Sequence, residues 1–146
     1  MSRSGYSDDC DNLAMWRGQV ASASRGKRGQ KFFRDLVAAM DAMPVKRLVA
    51  GAFEAQGEVC ALGVLGKQKG ADLAALEKAA DNQRYDELSA AFDIARQLAQ
   101  ETMWINDEAG PYRGETPEAR WLRVRTWAES QIREPSPTPD RGPTRG

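Results

Sequence analysis

Apolar side chains recur along this chain at helical spacing almost throughout, with one stretch of strand-like pattern between them. Leu13, Trp16 and Val20, flanked by Ala14, Ala21 and Ala23, predict a first helix over about residues 12–24, weakened by Gly18. Asp8, Asp9 and Asp11 precede it, where carboxylates can cap free amides and oppose the positive end of the helix dipole. The run Arg25-Gly26-Lys27-Arg28-Gly29-Gln30 breaks the pattern. A second helix over about 30–42 follows from the single stripe Phe33, Leu36, Val37 and Met40, and Met43-Pro44 ends it.

From Lys46 to Gly66 the pattern changes to short apolar runs with β-branched members. Residues 47–53 and 58–65 flank Glu54-Ala55-Gln56-Gly57 and predict a β-hairpin, although the alanines leave a helical alternative open. Two strands alone are marginal in water, so the hairpin has to lie against helices. Beyond Gly70, helical spacing returns three times: with Leu73 and Leu76; with Tyr85, Leu88 and Phe92; and with Ile94, Leu98 and Ile105 before Gly110-Pro111. Thr116-Pro117-Glu118 opens a last helix with a capping hydroxyl followed by proline, and Trp121, Val124, Trp127 and Ile132 lie along it. The expected fold is a mainly α-helical α+β single domain over residues 1–133 with one β-hairpin. A disordered Pro-rich tail is expected over 134–146.

Charge adds what periodicity lacks. The 21 basic and 21 acidic side chains cancel, but they are sorted along the chain. Residues 1–34 carry seven basic against three acidic, 71–118 four against eleven, and 119–146 six against three. Such blocks predict faces of opposite sign, suited to charge-guided binding. The absence of histidine excludes Ser-His-Asp and Cys-His nucleophilic systems, His-containing zinc sites and His-based general base catalysis. Two cysteines exclude a four-thiolate zinc site within one chain, and no cofactor is expected. Cys10 and Cys60 are expected as reduced thiols, with a disulfide between them left open. No run of about 18 apolar residues exists, and Met1 to Asp9 lacks the character of a signal peptide, so no membrane partner and a cytoplasmic location are expected.

Four groups of residues are candidate sites. Arg17, Arg25, Lys27, Arg28, Lys31 and Arg34 occur without an acid among residues 17–34 and could neutralise phosphates, or pair with the acidic half of the chain. The segment 86–99 has the rhythm of a helix-turn-helix. Its second helix, however, carries Glu101, Asp107 and Glu108 against Arg96, which phosphates would repel, so a plain helical hairpin is favoured. Asp8, Asp9 and Asp11 with Asp107 and Glu108 could hold Mg²⁺ or Ca²⁺ only if folding joined them, and their spacing fits no EF-hand, so no metal site is expected. Among Trp16, Trp104, Trp121 and Trp127, each is expected in the core, with Trp104 the most exposed.

The opening Ser4-Gly5-Tyr6-Ser7-Asp8-Asp9-Cys10, the run Arg25 to Gln30, the turn Ile105-Asn106-Asp107-Glu108-Ala109-Gly110 and Thr116-Pro117-Glu118-Ala119-Arg120-Trp121 together resemble a group of small uncharacterised bacteriophage- and prophage-encoded proteins. The resemblance covers about residues 1–132. It carries over no activity and no functional residue. What it implies is context, the cytoplasm of a bacterial host, and a role in binding a host protein, including components of antiviral defence. The sequence-level expectation is therefore a non-catalytic protein-interaction module, an inhibitor or modulator of a host protein, with Trp104, Asp107 and Glu108 at the interface. The alternative is nucleic-acid binding through Arg25, Lys27, Arg28, Lys31 and Arg34, and a homodimer remains open.

Overall fold

The computed structural model describes residues 3–5, 13–111 and 114–133. Among them the chain runs α1 (Leu13–Arg25), α2 (Lys27–Asp41), β1 (Glu54–Ala55), β2 (Glu58–Val59), α3 (Ala61–Gln68), α4 (Leu73–Asp81), α5 (Tyr85–Phe92), α6 (Arg96–Asp107) and α7 (Pro117–Gln131). This is the mainly helical α+β arrangement that the periodicity predicts. The tail at 134–146, Cys10, and Asp8, Asp9 and Asp11 lie outside the described residues. No described helix is long and apolar enough to cross a membrane.

α2 and α6 are the two spines. α2 packs against α1, α3 and α7; α6 packs against α1, α3, α5 and α7; α4 rests on α5 and α3. The reason for the first spine is visible in its stripe, since Phe32, Phe33, Leu36, Ala39 and Met40 all point inward at three- and four-residue intervals. Phe33 meets Trp127 of α7 edge-on with ring centroids 5.3 Å apart. α7 starts as expected: the Thr116 hydroxyl accepts the Ala119 amide at 3.0 Å, and Pro117 occupies the first turn.

The hairpin is much shorter than predicted. Pairing is confined to Glu54 opposite Val59 and Ala55 opposite Glu58, around Gln56 and Gly57, both with positive φ (54° and 81°), as a primed two-residue turn requires. The would-be strand 58–65 instead coils into α3 from Ala61. Residues 61–66 are all buried, so neither a helical nor a strand period is left in the sequence to read, and a buried helix looks like a buried strand. Cys60 decides the matter locally, its Sγ accepting the Gly63 amide at 3.3 Å and so capping the helix.

α2 also starts earlier than predicted. Gly26 alone interrupts the chain in an extended conformation, and α1 and α2 then cross tightly. A Cβ on Gly29 would lie 1.9 Å from the Ala23 carbonyl oxygen, so this crossing exists only with glycine there. Gly29→Ala is therefore expected to destabilise the fold by at least about 2 kcal/mol. Gly18→Ala, on a part of α1 with nothing within 4 Å of the added carbon, is expected to stabilise by about 0.5–1 kcal/mol. Urea titration of both variants measures the pair.

Candidate functional site

The basic stretch closes α1 and runs along the first turns of α2. Arg25 closes α1, and Lys27, Arg28, Lys31 and Arg34 project from α2; all five are exposed. Lys27, Lys31 and Arg34 follow at intervals of four and three on the face of α2 opposite its apolar stripe. Their partners are weak. Arg28 meets Asp93 at 3.2 Å with both side chains mostly in solvent, Lys31 meets Asp35 one turn on, and Arg34 reaches the Arg133 carbonyl at 3.5 Å. Exposed pairs of this kind contribute about 0–1 kcal/mol each and leave the local field positive. Arg17 differs, since its guanidinium donates to the buried Glu101 carboxylate at 2.5 Å and ties α1 to α6.

Gln30 builds this end from inside. Its side-chain amide donates to the carbonyls of Ser24 and Gln131, both at 2.8 Å, and its oxygen accepts the Arg133 amide at 2.8 Å. The C-terminus of α7 is thereby pinned to the α1–α2 turn, which brings the exposed Arg133 to the same cationic edge. A depression of about 370 Å³ lies there, between Gly26, Lys27, Arg28 and Gly29 on one side and Ala95 on the other. Sequence reasoning missed Gln30, because a lone glutamine in a polar run carries no sign of its burial.

The opposite end gathers around the C-terminus of α6, where Trp104, Asp107 and Glu108 were expected at an interface. Asp107 is mostly occupied within the fold. Its carboxylate accepts Arg3 Nε at 2.7 Å, Arg3 Nη2 at 3.0 Å, the Gly51 amide at 2.9 Å and Asn106 Nδ2 at 2.9 Å, and its side chain is 9% exposed. Trp104 is half-buried and packed on the core. Only Glu108 of the three is exposed, beside an open depression of about 490 Å³ lined also by Arg3, Gly51, Asp81, Gln83 and Asp107.

Residues 3–5 are held here as a strap. The Tyr85 hydroxyl donates to the Arg3 carbonyl at 2.9 Å, Gln100 Nε2 donates to the Ser4 carbonyl at 2.9 Å, and the Arg3 guanidinium lies 5.0 Å from the Phe53 ring centre. Asn106, fully buried, accepts the Ala61 amide at 3.0 Å and donates to the Val49 carbonyl at 2.9 Å. Burial would raise the Asp107 pKa, but Arg3, the Gly51 amide and Asn106 outweigh it and hold the carboxyl below its usual value. Nothing in the sequence pattern announces Arg3, Tyr85 or Gln100 as partners of this end.

No group of three or more His, Cys, Asp or Glu side chains that could hold a metal ion occurs among the described residues. The helix-turn-helix rhythm of 86–99 resolves into α5 and α6 joined through Asp93 in the left-handed conformation (φ 54°). α6 buries Leu98 to Met103, Ile105 and Asn106, so it is a core spine with no free face to enter a groove. Comparison with protein-family models, curated proteins and solved structures found no match.

Because the Asp107 carboxyl is depressed in the folded chain, its stabilisation is present above the unfolded value near pH 4 and is lost as pH falls through the lower folded value. Asp107→Asn leaves Arg3 buried without its counter-charge and is expected to cost about 3 kcal/mol at pH 7. The gap between variant and wild type narrows as acid removes the same charge. Urea titrations from pH 7 to pH 3 measure both effects.

Proposed function

We propose that this protein is a non-catalytic interaction module that docks its basic end on an acidic surface of a partner protein. The observation that carries this reading is the sorting of charge along α6. At the N-terminal end of that helix Lys27 and Arg28 face Ala95 across a shallow depression, next to the exposed Arg25, and the exposed Lys31 and Arg34 continue the cationic face along α2 toward Arg133. Toward its C-terminal end stand the exposed carboxylates of Asp81 and Glu108, with Asp86 and Glu87 in the first turn of α5, whose Tyr85 reaches Arg3. The 12-residue helix between them is about 18 Å long. The dipole of α6 runs with this polarity, adding positive potential where the cations are. A body charged in this way is oriented by a partner's field before contact, which favours fast and selective association. The resemblance to bacteriophage- and prophage-encoded proteins supports a host protein as the partner, inhibited or modulated by the contact.

The exposed stripe Lys27, Lys31 and Arg34 favours a second reading, in which the same end binds nucleic-acid phosphates. The acidic end does not forbid it, because the screening length at physiological salt is about 8 Å, well short of the separation. Capture of partners by the tagged protein from bacterial lysate tests both. The triple change Lys27→Glu, Lys31→Glu and Arg34→Glu is expected to weaken capture of a nuclease-resistant protein partner by at least about tenfold. Asp86→Lys with Glu87→Lys, at the other end, leaves it unchanged. Partners that vanish on nuclease treatment favour the second reading, and capture that ignores the triple change sinks both.

A further inference from the structure

Two depressions mark the two ends of α6, and they carry opposite charge. Beside its N-cap, Ala95, lies the one of about 370 Å³ that Lys27 and Arg28 line, both exposed. Beside its last residue, Asp107, lies the one of about 490 Å³ that the exposed Asp81 and Glu108 line. The acidic depression already takes a guanidinium from its own chain. Arg3 gives Nε and Nη2 to the Asp107 carboxylate at 2.7 and 3.0 Å, and these two charges offset one another within the fold. Asp81 and Glu108 are left over, Glu108 with the Ser4 hydroxyl at 3.4 Å as a weak contact. At the other depression Arg28 meets Asp93 at 3.2 Å with both side chains mostly in solvent, a pair that contributes little. The whole chain has a net charge of zero, so no overall repulsion keeps its copies apart.

We infer that these two surfaces fit each other across a second copy of this chain, with Lys27 and Arg28 of one copy seated between Asp81 and Glu108 of the next. Lysine and arginine carry their charge at the tip of a long stem, which a concave acidic surface admits and a flat one does not. Ion pairs made inside a depression are less screened than pairs on an open helix face, so the cations gain on leaving their solvated position. The contact joins two different patches, and each copy keeps one of each sign for a further neighbour. Being electrostatic, it is strong where the screening length is about 30 Å, near 0.01 M salt, and weak where it is a few ångströms, near 1 M. The chain alone suffices for it, so its outcome is separate from whether a host protein docks on the same cations.

Sedimentation equilibrium of the purified full chain at pH 7, under reducing conditions, reads the mass. At about 1 mM protein in about 10 mM salt the weight-average mass is expected at least about 1.5-fold above the 16.1 kDa of the chain, as for a Kd near 1 mM, and back at the monomer value in about 0.5 M salt. A monomer at both salt concentrations, or a raised mass that high salt leaves in place, overturns the proposal. The variant combining Lys27→Gln, Arg28→Gln, Asp81→Asn and Glu108→Gln removes two positive and two negative charges, so it discharges both depressions while the net charge stays at zero. It is expected to remain monomeric in low salt with its helical circular dichroism unchanged. Association equal to that of the unaltered chain assigns the effect to net neutrality alone and likewise overturns the proposal. The salt comparison needs no variant, and so decides the matter even if the fourfold change does not fold.

Discussion

The C-terminus of α6 is the point on which the rest of the chain is hung. A helix end leaves its last carbonyls without partners and carries partial negative charge, and here Asp107 adds a full one. Two arginines answer it. Arg3 closes a two-pronged pair on Asp107, and Arg123 of α7 donates to the Ile105 carbonyl at 2.7 Å and the Asn106 carbonyl at 3.3 Å. Arg123 is itself held by Glu115 at 2.6 Å, whose carboxyl it keeps below the ordinary range. With Asn106 reaching Val49 and Ala61, one helix end thus fixes the N-terminal strap, the loop before the hairpin, the start of α3 and the approach to α7.

That arrangement explains why the acidic block of the sequence yields less acidic surface than its charge count suggests. Asp107, Glu101 and Glu115 spend their charge on arginines inside or at the edge of the fold. What stays outside at that end is Asp81, Glu108 and the acids opening α5. Nothing comparable happens at the basic end, where the pairs to Asp93 and Asp35 are open to water. The asymmetry is between an end whose charges build the fold and an end whose charges are left over.

The same distinction sets what could be read from the sequence. α2 and α7 were legible because one face is buried and the other is not, which leaves a period; α3 was not, because burial on every side erases it. Lys31 and Arg34 lie on the expected helix opposite Phe33 and Leu36, whereas Lys27 joins that face only because α2 starts at Lys27, inside the run expected to break the pattern. The inward turn of Asp107 could not follow, since its partner is 104 positions away and only the packing of α6 brings them together. Gln30 and Asn106 were missed for a like reason: an amide binds backbone groups whose positions the tertiary fold alone supplies.

Exposure by itself does not make the basic end a binding surface, because a solvated lysine is the commonplace outcome on any helix. These cations also act on one another. Two like charges about 10 Å apart in water repel by about 0.4 kcal/mol before screening. After screening by physiological salt each such pair keeps only about 0.1 kcal/mol, so several together leave a few tenths. A surface selected for solubility alone intersperses both signs and avoids this. Arg25, Lys27 and Arg28 flank the tight α1–α2 crossing that Gly29 permits, so they sit within three positions of one another at the turn. In the complex proposed above, anionic groups of a partner would relieve this small repulsion on settling among the cations.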